Sequence, residues 1–218
     1  MNERKFLFVT CVNDEAMYAR CLKHLDQLTV PDGYALERLP IRRAASMAAG
    51  YNAALANDAK YKIYLHQDVF VLRPSFLHDL LTLFQGNEAL GLLGMVGCKQ
   101  LPPNGMWWAG NDLFGKVIGY QRDTYYHHKF REVRGSWESV AAVDGLLMAT
   151  QYDVPWRDDI FTGFHFYDVS QAQEFINRGF AVGVPQQRDP WCLHYHKNHQ
   201  LDHVYHQYRQ LFIEHYRS

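Results

Sequence analysis

Between Ile63-Tyr64-Leu65 and Val69-Phe70-Val71 stand three polar residues, His66, Gln67 and Asp68. A strand buried in a parallel sheet reads as a continuous apolar run. Polar residues inside one cost stability unless they close the strand or meet partners. In open α/β sheets, ligands bind outside the carboxyl ends of the strands. An imidazole and a carboxylate two residues apart, facing that crevice, can hold a divalent metal. A strand followed by a turn with a solvated aspartate explains the same letters. Asp144-Gly145 breaks a second apolar run, Val140 to Thr150. A buried aspartate is costly unless it is paired or functional. Asp144 is therefore either a base or ligand-binding carboxylate, or a satisfied structural one. Trp107 and Trp108 lie in a Gly/Pro-rich loop. One such ring can stack on a sugar while the other anchors the loop.

The elements that would position these residues follow from periodicity. Lys5 to Val12 reads as a buried first strand. Asn13 is placed to cap the helix after it, with Asp14 and Glu15 in the electropositive first turn. Met17, Cys21, Leu25 and Leu28 share that helix's apolar face. Tyr34 to Ile41 predicts a second strand and 44–57 an alanine-rich helix containing Gly50, Tyr51 and Asn52. The central strand is expected over 61–67. Pro74 opens a helix ended by Gly86, and Leu90 to Gly97 forms a fourth strand. The order β-α-β-α-β-α-β implies a parallel sheet with right-handed crossovers.

Beyond residue 98 the pattern loosens. Residues 113–135 read as irregular strands with exposed aromatics, and Trp156 to Tyr167 as a loop. Asp168 to Arg178 reads as a helix, with Gly179 at the left-handed position after it. Asp168-Val169-Ser170-Gln171 has the spacing of a capping box. Ala181 to Pro185 is a short strand, and a C-terminal helix runs from about 200 to 216. On it His199, His203 and His206 have ligand spacing, though a solvated face is the simpler account.

Composition sets the outer limits. The 218 residues fit one large domain, and 48% hydrophobic content is enough for a core. A net charge of −1 argues against a general nucleic-acid or anionic-membrane binder. No apolar run nears the ~18 residues of a membrane span. Cys11, Cys21, Cys98 and Cys192 form no CxxC pair, so neither a zinc site nor a disulfide framework is expected. A reduced, cytoplasmic, soluble protein is the simplest reading.

Three stretches carry a family resemblance: CVNDEAMYARCLKHL, SMAAGYNAALANDAKYKIYLHQDVF, and VDGLLMATQYDVPW with FHFYDVSQ. Together they resemble family-2-type glycosyltransferases of the GT-A fold. The closest match is the small glycosyltransferase-like domain named after a streptomycin-biosynthesis protein. The resemblance runs from Phe6 to about His196. It implies an α/β fold with a mostly parallel central sheet flanked by helices. One domain would span 1–218, with a nucleotide-binding half to about residue 98 and an acceptor half after it. It also implies transfer of a sugar from a nucleotide-sugar donor, UDP-linked by default, to an acceptor hydroxyl, with inversion.

Roles follow from the same resemblance. Cys11, Asn13, Glu15, Asn52 and Gln67 would hold the donor. His66-Gln67-Asp68 stands where the family has Asp-x-Asp, a motif that coordinates Mn2+ or Mg2+. Imidazole is a poorer Mg2+ ligand than carboxylate, so His66 favours Mn2+. A third ligand from the C-terminal region would be His194, with His196 next. Asp168 matches the catalytic base, with Asp144 as the alternative, and Tyr167 replaces the usual preceding acid. Trp107, Trp108, Gly145 and His165 would face the substrate. Two other functions use the same residues: a binding module that kept the fold but lost the chemistry, and a metal-dependent phosphohydrolase of nucleotide sugars.

Overall fold

A computed structural model describes residues 1–121, 123–195 and 201–217. In chain order the elements are β1 (Asn2–Val12), α1 (Glu15–Leu25), β2 (Ala35–Arg42), α2 (Met47–Asn52), β3 (Ala59–Leu65), β4 (Val69–Val71), α3 (Phe76–Gln85), β5 (Leu90–Gly94) and β6 (Val96–Cys98). Then come β7 (Leu113–Gln121), β8 (Thr124–Lys129), β9 (Trp137–Ser139), β10 (Ala142–Val143), β11 (Leu147–Thr150), α4 (Tyr167–Asn177), β12 (Ala181–Pro185), β13 (Cys192–His194) and α5 (His203–Tyr216). None of the helices is long and apolar enough to cross a membrane, among the described residues.

The main sheet has the order β2-β1-β3-β11-β5-β12-β9. β2, β1, β3, β5 and β12 run one way, while β11 and β9 run the other. The sheet is therefore mixed but mostly co-directional. β3 and β5 owe their central places to continuous apolar runs, buried along almost their whole length. A second sheet, β10-β6-β7-β13-β4 with β8 paired to β7, stands beside it. On α3, Phe76, Leu77, Leu80, Leu83 and Phe84 are buried, a stripe at the helical period. Tyr51, Tyr64, Trp156 and Tyr167 pack elsewhere as one aromatic group, with Tyr51 4.9 Å from both Tyr64 and Trp156. Such pairs add to area burial only within this spacing, and here they brace the helix that opens with Tyr167.

Several expectations hold and several need correction. Gly179 takes φ +83° after α4, and β12 covers Ala181–Pro185. The cap of α1 is Asp14, whose carboxylate accepts from the Met17 amide. Asn13 is drawn away from that task by Gln67. The predicted helix over 44–57 is one short helix, capped by Ser46, followed by a 3-10 turn at Ala53–Ala56. Asn52, fastened to distant backbone, sits where the helix tightens. The strand over Leu90–Gly97 divides at Met95 between the two sheets. β7 and β8 are regular antiparallel strands, paired from Lys116–Lys129 to Gln121–Thr124. The capping box does not form. Phe166, at φ +60°, begins α4, so Asp168 falls inside the first turn.

Candidate active site

The three polar residues after β3 lie in a turn at its carboxyl end. The His66 amide donates to the Leu146 carbonyl at 3.0 Å, and the Tyr195 amide donates to the Asp68 carbonyl at 2.8 Å. β13 pairs antiparallel with β4, so His194 lies opposite Val69, beside Asp68. The His194 Nε2 and Asp68 Oδ1 atoms are 3.4 Å apart. One ligand atom from each of His66, Asp68 and His194 lies within 4.8 Å of the others. Ligands about 2.1 Å from an ion stand about 3–4 Å from one another, so a small contraction suffices. Two imidazoles and one carboxylate suit a transition ion such as Mn2+ better than Mg2+. Burial pushes the Asp68 carboxyl up. The His194 bond and the two imidazoles outweigh it, leaving the carboxyl below its ordinary value. Burial likewise pulls His194 down, but Asp68 draws it up overall.

Asp144 approaches from the turn before β11 and Asp168 from the first turn of α4. Asp144 sits in the turn between β10 and β11, where its Oδ1 accepts from the Leu146 amide at 2.8 Å. Asp168 accepts from the Gly145 amide at 3.0 Å and from its own Val169 amide at 2.9 Å. Burial first, then the negative Asp144, push its carboxyl up to about 7, against the pull of those amides. A carboxylate has about four lone-pair positions, so two amide bonds leave it able to take a proton.

Tyr167 is the residue that sequence reasoning undervalued. Its buried hydroxyl is hydrogen-bonded to His66 Nε2. Histidine and tyrosine each stand where the resembling family has an acid. That double departure was the available signal that the two side chains meet.

His66, Asp68, Asp144, Gly145, Asp168, His194, Trp107, Trp108 and His165 all line one cavity of about 730 Å3. Trp107 is buried and Trp108 is 44% exposed, the division expected of the pair. Gly145 leaves no room for a Cβ, which would meet the Tyr167 hydroxyl and come within 2.9 Å of the Asp168 Cβ. Gly145→Ala should therefore push Tyr167 from His66 and cost about 1–3 kcal/mol, as overpacking does. In a chain of this size that is a melting-temperature fall of several degrees. An unchanged melting curve would show that the site relaxes freely.

The five residues assigned to the donor lie outside this cavity. Gln67 Oε1 accepts from the Asn13 and Asp14 amides at 2.9 Å each, and its amide donates to the Asn13 side chain. Gln67 and Asn13 thus fix the β1–α1 turn. Asn52 is engaged at both amide atoms by the Trp156 backbone, at 2.9 and 2.8 Å, which makes it a tether between distant segments. The Cys11 thiol, pushed up to about 12 by burial, fills space that a Gly50 Cβ would occupy. Glu15 is exposed and bidentate to Arg42, at 2.6 and 3.1 Å. His203 and His206 are exposed on α5, while His196 and His199 lie outside the described residues.

A co-directional sheet with one reversed strand at its centre, carrying its polar cluster at the carboxyl edge, defines an α/β protein of the GT-A glycosyltransferase type. Among solved structures, the chain is similar to GalNAc-T7 with UDP, GalNAc and Mn2+, at TM-score 0.58 and 10% identity, covering 90% of this chain and 44% of that one. It is similar to residues 1–349 of S. aureus TarS, at TM-score 0.54 and 9% identity, covering 88% and 60%. It is also similar to the mannosyltransferase PcManGT from Pyrobaculum calidifontis in complex with GDP-Man and Mn2+, at TM-score 0.53 and 11% identity, covering 88% and 57%. The chain thus spans about half the length of these structures, and at such identity the likeness is one of fold. No curated protein sequence matches. The family described as "Glycosyltransferase like family" matches residues 7–216, and the chain belongs to it.

Proposed function

We propose that the protein transfers a sugar from a nucleotide-sugar donor to an acceptor hydroxyl, with inversion and with a divalent metal. The observation that carries this reading is the convergence of His66, Asp68, His194 and Asp168 on one cavity at the sheet's carboxyl edge. UDP, GalNAc and Mn2+ in the GalNAc-T7 structure, and GDP-Man and Mn2+ in PcManGT, support it by likeness of fold. Within the family, the domain named after a streptomycin-biosynthesis protein is the subgroup we favour. Action in the cytoplasm belongs to the same proposal and suits four unpaired cysteines.

His66, Asp68 and His194 would hold the ion, Mn2+ in preference to Mg2+. When bound, such an ion supplies positive charge opposite the leaving diphosphate. Asp168 takes the proton of the acceptor hydroxyl as that oxygen bonds to the anomeric carbon. The bond from that carbon to the diphosphate oxygen breaks on the opposite face, which inverts the centre. A base that titrates near 7 is partly ionised at neutral pH and still basic enough to accept a proton. Tyr167 orients His66, and the cavity walls hold both substrates in line, which removes much of the entropic barrier.

The test is thermal unfolding with UDP, GDP, CDP and dTDP, each with and without Mn2+. One nucleotide should stabilise the protein only when Mn2+ is present. At about 100 times its Kd the gain is about 2.7 kcal/mol, a rise of several degrees. No shift with any of the four would remove the donor site from this reading. A second reading draws on the Tyr167 bond to His66, which occupies one ring nitrogen of a metal ligand. A donor-binding module without turnover would show the same nucleotide shift and form no product with any acceptor.

A further inference from the structure

We propose that the protein carries a second ligand site, on the side of the second sheet turned away from the cavity, and that this site binds a phosphoryl group. The inference is independent of the transfer reading. Successive residues of a strand face opposite sides. On β7, Val117, Gly119 and Gln121 line the cavity, whereas Lys116 lines a separate recess of about 550 Å3. Arg73, Glu132, Gln186, Gln187, Arg188 and Trp191 complete its wall. None of these residues lines the cavity.

The floor of the recess is fixed by bonds to backbone. Gln187 is buried, donates its side-chain amide to the Met95 carbonyl at 2.6 Å and accepts from the Trp191 amide at 3.4 Å. Trp191 is buried too, and the Arg73 guanidinium lies 5.3 Å from the centre of its ring. Lys116 is only 6% exposed. Its ammonium donates to the Arg188 carbonyl at 2.9 Å and meets the Glu132 carboxylate at 2.8 Å. A buried charge needs close partners to offset its lost hydration. Here the one carboxylate partner is 69% exposed, and of the three donors of an ammonium one remains uncommitted.

The other donors of the wall are uncommitted as well. Arg73 uses Nε and Nη2 on Asp79, which leaves Nη1 without an acceptor among the described residues. The side chains of Arg188 and Gln186 make no hydrogen bond or ion pair among the described residues. Asp79, and less strongly Asp189, hold the Arg73 guanidinium above its ordinary value, but neither lines the recess. The wall thus sets three cations against Glu132 alone. Guanidinium and ammonium groups donate and do not accept, so the ligand they suit is an acceptor. A phosphoryl group points three oxygens apart, toward donors that arrive from the β4–α3 link, from β7 and from the 186–191 segment. Arginine forks and lysine ammoniums are the usual partners of such oxygens. The recess is of the size of small-molecule sites, roughly 300–1,000 Å3, and a phosphate ion alone does not fill it. The favoured ligand is therefore a small phosphate ester, which displaces the exposed Glu132 from Lys116.

Binding is read by phosphorus NMR line broadening on the whole protein without added metal. Melting curves are unsuited, because phosphate also stabilises folded proteins through exclusion from their surface. The probes are glycerol phosphate and inorganic phosphate, and both should broaden. Tighter binding of the ester assigns the site to a phosphorylated small molecule, and equal binding assigns it to the free ion. Arg188→Ala should weaken binding about tenfold, the loss of one charge-assisted contact. Its melting temperature in plain buffer should stay the same, since the side chain is exposed and bonded to nothing. Glu132→Gln should tighten binding, because it removes the competitor for Lys116. Three results would overturn the proposal: no broadening with either probe, unchanged affinity in Arg188→Ala, or weaker binding in Glu132→Gln. The nucleotide-dependent melting shift should persist in Arg188→Ala, whose recess shares no residue with the cavity. Absence of that shift in wild type defeats the transfer reading and leaves this one standing.

Discussion

Asp168→Asn should lower turnover by about 10²–10⁴-fold, the span that a positioned general base contributes, with donor binding intact. The variant keeps an acceptor oxygen for one of the two amides that Asp168 holds, at Gly145 and Val169, so the fold should survive. What it loses is the site for the acceptor's proton. The pH profile gives the same assignment a second handle. Asp168 is held up near 7 by burial and by Asp144, and only its ionised form accepts a proton. In wild type, kcat/KM should rise with pH along a limb centred near 7 and level off above it. Asp144→Asn should move that limb to lower pH, since a negative neighbour is removed. Stability moves the opposite way. The folded protein keeps the Asp168 proton between about pH 4 and 7, where the unfolded chain has released it. Through this one group, stability falls as pH rises across that window. A fully active Asn variant, or a limb that ignores Asp144, would end the assignment.

Asp68→Ala should abolish Mn2+ binding, followed by the electron paramagnetic resonance of the free ion, and lower kcat on the order of 10²–10³-fold. Asp68 is the one carboxylate of the three-residue cluster, and His194 Nε2 already stands 3.4 Å from it. Its removal leaves two imidazoles and no carboxylate among the three ligands. The melting shift with nucleotide should then cease to depend on Mn2+. His66→Asp is the informative companion, because it restores oxygen where the family usually has it. That variant should keep the ion and tolerate Mg2+ better than wild type. Undiminished Mn2+ binding by Asp68→Ala would place the metal elsewhere.

Residues that interrupt apolar runs were legible in the sequence. His66 and Asp68 after Leu65, and Asp144 within Val140–Thr150, stood out because polarity in a buried strand needs a reason. The structure puts all three at one cavity. Amides were not legible in this way. Asn13, Gln67 and Asn52 have the chemistry to read a nucleobase, but they have equal chemistry to satisfy backbone groups. Which of the two wins depends on partners 54 and 104 positions away, and local spacing carries no trace of them. The capping-box spacing at Asp168 misled for a related reason. The backbone of Phe166 takes the left-handed region, so the helix starts early and the aspartate turns inward to Gly145. Strands beyond residue 113 were legible, but the regular pairing of β7 with β8 was not, because exposed tyrosines and histidines blur the alternation that marks a strand.

The reversed strand β11 lies between β3 and β5, paired Leu147–Leu65 on one side and Ala149–Leu93 on the other. Its residues leave the ribosome some fifty positions after those of β5. Until they arrive, the nascent chain holds the β2-β1-β3 part of the sheet and a β5 without a sheet neighbour, both awaiting the same partner. Bridging of β3 to β5 and delivery of Asp144-Gly145 to His66 are therefore one event during synthesis. Contacts this remote in sequence are slow to form, because the loop must close before they add stability. A half-made chain thus carries open strand edges, the kind of surface that invites aggregation. Gaining β11 covers the edges of β3 and β5 that face each other, while β12, Asp168 and His194 follow later in the chain.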